Sequence, residues 1–241
     1  MKAMIFAAGL GTRLRPLTDK MPKALVKIGG KTLLQWQIEK LKGTGISDIT
    51  INIHHFPDMI INFLHSNHNF GCNITISDER NLLLETGGGL KKAFGGLLEQ
   101  ESVLACNVDI MSNINLEDLI NTYVRTGKSL LVVSERMTQR YLCFDGKNRL
   151  CGWTNIATGE IKGRDGRRLA FSGMQILNPK MMQCLQDTEE EVFSLTDFYL
   201  KITSVPKFGE ELEAYIPADY RMMDVGKVEH LHEAEVFVKG L

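Results

Sequence analysis

The sequence predicts an α/β fold: a mixed, mostly parallel sheet with helices on both faces. Three observations carry that prediction. Short apolar runs alternate with longer amphipathic stretches through about residue 135, the pattern of strand–helix–strand units. After Tyr141 the texture changes to hairpin and turn signals, which adds antiparallel strands. No linker rich in Pro, Gly or Ser and no internal repeat interrupts the chain, so residues 1–241 read as one domain.

The elements follow in order. Met4-Ile5-Phe6-Ala7-Ala8 lies in a buried first strand, Lys2 to Ala8, and Leu25 to Ile28 reads as a short extension before Gly29-Gly30. Thr32 is placed to cap a helix from Leu33 to Lys42 that presents Leu34, Ile38 and Leu41 on one face. Ile49 to Ile53 is a second strand. Asp58 to Ser66 is a helix opened by Pro57, and Asn73 to Ser77 is a third strand. Gly89 to Leu98 reads as a helix preceded by Glu85-Thr86-Gly87-Gly88-Gly89, and Ser102 to Ala105 as a strand running into Asn107-Val108-Asp109. A helix from Leu116 to Arg125 and a strand from Ser129 to Ser134 complete the alternating part. Beyond it, Tyr141 to Phe144 and Arg149 to Trp153 form a hairpin over Asp145-Gly146-Lys147-Asn148, and Asp165-Gly166 turns the chain into a strand from Ala170 to Leu177. Helices start at Pro179 and at Leu195, the latter capped by Ser194. Strands from Leu212 to Ile216 and Arg221 to Val225 precede a closing helix from Lys227 to Phe237.

Composition narrows the function classes. A formal net charge of −1 gives no global pull toward nucleic acid or an anionic membrane, so any polyanion must be held by local cations. No apolar run is long enough to span a bilayer, and the chain enters a strand at once rather than showing a leader-peptide layout. Cys72, Cys106, Cys143, Cys151 and Cys184 are odd in number and lack CxxC spacing. Free thiols in a reducing cytoplasm are therefore expected.

Local cations are found at once. The stretch from Ala7 to Leu25, AAGLGTRLRPLTDKMPKAL, gathers Gly9, Gly11, Arg13, Arg15, Lys20 and Lys23 just after the first strand. Glycines allow close backbone approach and cations neutralise phosphate, so the stretch reads as a phosphate-binding loop rather than a plain connector. It is neither a dinucleotide fingerprint, since Leu14 falls where the third glycine would be, nor a Walker loop, since no GK[ST] closes it. Asp109 ends a strand at the carboxyl edge of the sheet, where ligands gather. Position alone leaves it as a turn cap or as a Mg²⁺ ligand. Asp224, in Met222-Met223-Asp224-Val225-Gly226, would by itself be an acid beside the final helix. Gly173, in Phe171-Ser172-Gly173-Met174, marks either a bulge or a close ligand approach. His54-His55 and His65/His68 lack the partners of a zinc site and read as packing or surface residues.

Together these motifs resemble the sugar-1-phosphate nucleotidyltransferases: a GxGTRL turn, then P-x-T, then PK-x-L, with an aspartate-terminated strand and a late D-x-G at Asp224-Val225-Gly226. The resemblance implies a single Rossmann-like domain whose half to about residue 135 binds nucleotide and whose half from about residue 136 binds sugar. It implies that Ala8, Gly9, Gly11, Thr12 and Arg13 hold the nucleotide phosphates. Arg13 and Lys23 would act in catalysis, and Thr86 and Gly88 would contact the nucleoside. Asn107 and Gly173 would contact the sugar, and Asp109 and Asp224 would share Mg²⁺. Ala24 stands where many members have proline and Val108 where many have glycine. The LETGGG form and the short length lean toward UTP and N-acetylmuramate 1-phosphate. Guanylyl transfer to mannose or heptose 1-phosphate, cytidylyl transfer to phosphocholine, and a non-catalytic nucleotide-sugar sensor are the alternatives. A glycosyltransferase would carry a DxD-like pair, and Asn107 takes its first position. The implied partners are an NTP and a sugar 1-phosphate, with no nucleic acid and no membrane.

Overall fold

The structure, a computed structural model, describes residues 1–95 and 101–241. Its strands and helices run β1 (Lys2–Phe6), β2 (Lys27–Ile28), β3 (Lys31–Thr32), α1 (Leu33–Gly43), β4 (Asp48–Ile53), α2 (Pro57–Ser66), β5 (Asn73–Asp78), α3 (Glu85–Ala93), β6 (Val103–Asn107), β7 (Ile110–Ser112), α4 (Leu116–Thr126) and β8 (Ser129–Ser134). The second part holds β9 (Arg140–Phe144), β10 (Leu150–Asn155), β11 (Glu160–Gly163), β12 (Arg167–Leu177), α5 (Pro179–Gln186), α6 (Leu195–Thr203), β13 (Leu212–Tyr215), β14 (Met222–Asp224) and α7 (Leu231–Phe237).

A 10-stranded sheet is the frame, with its main path in the order β11-β10-β9-β12-β6-β1-β4-β5 and with β8 and β13 branching from β12. The α/β, mixed-sheet expectation holds, but the sheet is not mostly parallel: among the described residues four of its strand pairings are parallel and five antiparallel, because the hairpin strands β9 to β11 and the reversed β12 join it. Parallel pairing occupies β6-β1-β4-β5 and β8-β13, while β12 runs antiparallel to β6, β8 and β9. Successive side chains of β1 alternate between two cores, because a strand's residues point to opposite faces. Ala3 and Ile5 join Leu34, Ile38, Ile60 and Leu119 under α1, α2 and α4. Met4 joins Leu90, Leu131, Met181 and Phe198 under α3, α5 and α6. Burial on both faces is why the parallel strands read as continuous apolar runs.

Local chemistry fixes the helix starts. Thr32 Oγ1 accepts the Gln35 amide at 3.0 Å and Ser194 Oγ accepts the Asp197 amide at 3.1 Å, both as the sequence predicts. The first strand ends at Phe6, two residues early, because the Ala7 amide leaves the ladder for Asn52 Oδ1 at 2.8 Å. Helix α3 begins at Glu85 rather than Gly89, so the three glycines lie inside it. Its predicted end at Leu98 falls outside the described residues. The amides of Gly87 and Gly88 both donate to the Phe193 carbonyl, at 2.8 and 3.3 Å, which gives the helix start partners from across the fold. Sequence patterning missed β11, whose four residues are all exposed, and β7, which is three residues long.

Candidate active site

At the carboxyl edge of β1 and β6 the chain leaves the sheet toward a shared cavity of about 250 Å³. Among the residues singled out from sequence, Ala8, Gly9, Lys23, Thr86, Asn107 and Asp109 line it. The loop from Gly9 to Leu25 is organised by three short 3₁₀ turns, at Thr12–Leu14, Leu17–Asp19 and Lys23–Leu25. Thr18 Oγ1 donates to the Gly11 carbonyl at 2.8 Å, and His55 bonds the Thr18 carbonyl at 3.1 Å. The loop is therefore held by its own residues and by the end of β4. This arrangement brings Lys23 Nζ onto Asp109 Oδ2 as an ion pair, both side chains mostly buried (11% and 15% exposed).

The second carboxylate arrives through a separate two-stranded ribbon. Strand β14 pairs antiparallel with β7, setting Asp224 opposite Ile110, and the Val225 amide donates to the Asp109 carbonyl at 2.9 Å. Arg13 Nη2 stands 3.8 Å from Asp224 Oδ2. Burial pushes the Asp224 carboxyl above the usual range, and the nearby Asp109 charge pushes it further, against the pull of Lys23 and Arg13. Asp224 Oδ1 is buried with no hydrogen-bond partner among the described residues. Four charged groups separated by as much as 211 residues, Arg13, Lys23, Asp109 and Asp224, thus converge on one edge.

Several predicted residues sit elsewhere. Gly11, Thr12, Arg13 and Asp224 flank the cavity without lining it. Gly88 faces inward. A Cβ there would lie 2.0 Å from the Glu191 carbonyl oxygen, so its missing side chain makes room for the 189–193 segment. Gly88→Ala is therefore expected to lose stability on the scale of an overpacked core, about 1–3 kcal/mol or more. By contrast Gly95→Ala, whose Cβ would have no neighbour closer than 3.6 Å among the described residues, is expected to melt close to the wild type. Urea midpoints of the two variants check this, and equal midpoints would refute it. Gly173 has φ +69° at a register shift of β12, and a Cβ would meet Asn107 Nδ2 at 3.0 Å. It sits at a bulge, and the nearest neighbour of such a Cβ would be Ile110 Cγ1 at 2.8 Å, ahead of Asn107, so the crowding comes from the chain itself.

Sequence reasoning missed the residues that brace this edge. Asn52 accepts the Ala7 amide and donates to Glu79 Oε1 at 2.8 Å. Glu79, 1% exposed, accepts the Leu84 amide on its other oxygen at 3.1 Å. That buried chain ties the start of the loop to the segment leading into α3. The only signal for it was two polar residues at the ends of apolar strands. Asn52 and Leu83 also line the cavity, as do Glu85 and Val108, both named in the sequence motifs.

An α/β sheet whose carboxyl edge gathers a glycine-rich loop, a buried lysine and two carboxylates is the frame of a phosphate-handling enzyme. Residues 2–144 match the family model described as "Nucleotidyl transferase", and the chain belongs to that family. It is 43% identical over 109 residues to the N-acetylmuramate alpha-1-phosphate uridylyltransferase of Caulobacter vibrioides, spanning 44% of this chain and 45% of that protein. It is 33% identical over 186 residues to the protein of the same name from Neisseria meningitidis serogroup B, spanning 77% and 79%. The fold is shared with a crystal structure of HddC from Yersinia pseudotuberculosis complexed with GMP-PN, at TM-score 0.76 and 24% identity, covering 98% of this chain and 99% of that one.

Proposed function

We propose that the chain transfers UMP from UTP to the phosphate of N-acetylmuramate 1-phosphate, forming a UDP-sugar and releasing pyrophosphate. One observation carries the reading: the Lys23–Asp109 ion pair lines the cavity, and the Asp224 carboxylate, with Arg13 beside it, stands next to that pair. The names of the Caulobacter and Neisseria relatives support the choice of base and sugar.

The residues fit Mg²⁺. Asp224 Oδ1 is a buried carboxylate oxygen with no partner among the described residues, and two adjacent carboxylates repel each other unless a cation lies between them. Among the described residues no cluster of three or more His, Cys, Asp or Glu exists. Mg²⁺ commonly binds through one or two carboxylates, keeps waters and takes its remaining oxygens from substrate phosphates. Asp109 and Asp224 would hold it, and when bound it would supply charge neutralisation at the phosphates.

The reaction then asks little covalent chemistry of the chain. The acceptor phosphate is already anionic, so an oxygen of it attacks the α-phosphorus, the α–β bridging bond breaks, and pyrophosphate carries away the charge without a protein base. Positioning and charge are what remain to supply. Gly9, Gly11 and Thr12, with Arg13, would hold the triphosphate on the loop side. Lys23 has three donors and lines the cavity beside Asp109, so it can meet charge developing at the reacting phosphorus. Thr86 would sit against the nucleoside, and Asn107 with Gly173 against the sugar. On this reading residues to about 135 serve the nucleotide and those from about 136 the sugar. Among the described residues no helix is long and apolar enough to cross a membrane.

Pyrophosphate release tests the proposal. UTP, GTP, CTP and dTTP are crossed with the 1-phosphates of N-acetylmuramate, N-acetylglucosamine, glucose and mannose, and with phosphocholine. Release with UTP and N-acetylmuramate 1-phosphate, abolished by chelator, is the expected result. Preference for GTP with mannose 1-phosphate would replace it, and nucleotide binding with silence in every pair would favour a sensor.

A further inference from the structure

Beside the nucleotide cavity lies a second hollow of about 470 Å³, walled by the aromatic rings of Tyr141, Trp153 and Phe171 and by Arg136 and Arg140. The two cavities are neighbours by construction. Thr86, which lines the first, accepts the Leu195 amide on its hydroxyl at 3.0 Å, and the flanking Ser194 and Thr196 line the second. Phe171 stands two residues along β12 from Gly173, which packs on Asn107 at the first cavity. A ligand reaching from Asn107 past Gly173 therefore enters the second hollow.

The charge there is unbalanced. Lys162 and Asp197, both in the wall, neutralise each other at 2.8 Å, and Ser194 Oγ adds a bond to Asp197 at 2.6 Å. Arg136 donates to the Phe171 carbonyl at 3.0 Å and so is held on β12, yet it has no acidic partner within ion-pair distance among the described residues. Arg140 likewise has none among the described residues, whereas Arg149, Arg167 and Arg168, at the other end of the same ladder, are all paired with acids. Two unpaired guanidinium groups beside aromatic rings suit a ligand with an apolar or sugar face and an anionic end, since guanidinium matches carboxylate geometry with paired donors.

We propose that Arg136 and Arg140 bind a carboxylate on the acceptor sugar, making this chain selective for an acidic sugar 1-phosphate over its neutral counterpart. The inference rests on the acceptor being a sugar 1-phosphate, as argued above, and adds which part of the chain reads its acid. N-acetylmuramate 1-phosphate and N-acetylglucosamine 1-phosphate form the natural test pair, because they differ by one lactyl ether that ends in a carboxylate.

Calorimetric titration of both sugar phosphates into the full chain with Mg²⁺ gives a ratio of affinities that needs no turnover. The wild type is expected to prefer the muramate compound by about 10–100-fold, the range of charge-assisted hydrogen bonds. Arg140→Gln, which removes no side-chain hydrogen bond or ion pair among the described residues, is expected to lose part of that preference, and Arg140→Lys to keep some of it. The double variant Arg136→Gln/Arg140→Gln is expected to bring the ratio to within about threefold of one, whatever it does to either affinity alone. A wild type that binds both compounds equally, or a double variant that keeps the full preference, overturns the inference. Selective binding without pyrophosphate release from any NTP leaves the inference standing and overturns the proposed reaction instead.

Discussion

Lys23→Ala is expected to lower turnover on the order of 10²–10³-fold, the usual cost of losing one preorganised charge at a reacting centre. The lysine is mostly buried, lines the cavity and is paired with Asp109. Truncating it removes the one cation buried at that carboxylate, leaving Asp109 beside Asp224 with only the more exposed Arg13 nearby. Stability in chelator should therefore fall as well, since breaking a buried pair strands a charge. Excess Mg²⁺ should restore much of the melting temperature, because a divalent cation replaces the missing charge, but it should not restore turnover. That separation distinguishes a catalytic lysine from a structural one. Near-normal pyrophosphate release from a Lys23→Ala protein would remove Lys23 from the mechanism.

Asp224→Asn is expected to part activity from stability in the opposite sense. Turnover should fall by on the order of 10² or more, because on the proposed reading a ligand oxygen for the cation is lost. Stability of the chelated protein at neutral pH should rise. The sign follows from linkage. The folded chain raises the Asp224 carboxyl above its usual value, so above pH 3.8 the folded state binds protons more readily than the unfolded one, and stability falls as pH rises through that window. Asparagine carries no such charge. The advantage of the variant should therefore be fully developed at neutral pH and vanish well below pH 3.8. Melting curves at pH 3, 5 and 7 in chelator check it. A variant less stable than the wild type at pH 7 would mean that Asp224 is chiefly a structural residue of β14.

These contrasts also show what the sequence makes legible. The caps at Thr32 and Ser194 are readable because a cap acts within three residues. The alternating strands are readable because burial on both faces of β1 and β4 leaves apolar runs. Asp109 and Asp224 were singled out through a family motif, since nothing local to either signals that β14 will pair with β7 and bring them together. The glycines of α3 carry a signal whose cause lies elsewhere in the chain. A glycine announces crowding but not the neighbour, and here the neighbours are Phe193, Glu191 and Glu79, two of them about a hundred residues away. Asn52 and Glu79 stayed hidden for the same reason, as a buried polar pair satisfied only by tertiary contacts looks like any polar residue at a strand end.

Strand β12 bears on how such a chain can change. It lies between β6 and β9 in the order of the sheet and pairs also with β8, so the two halves interleave across a common ladder. Met174 to Leu177 are matched, residue against residue, with Cys106 to Val103. A chimera joined near residue 136 would inherit β6 from one parent and β12 from the other, and would have to refit that whole seam. Recombination between relatives is thus a poor route to a new acceptor. Single substitutions at exposed positions such as Arg140 leave the seam untouched, so if Arg140 reads the acceptor as proposed, that preference is open to drift one side chain at a time.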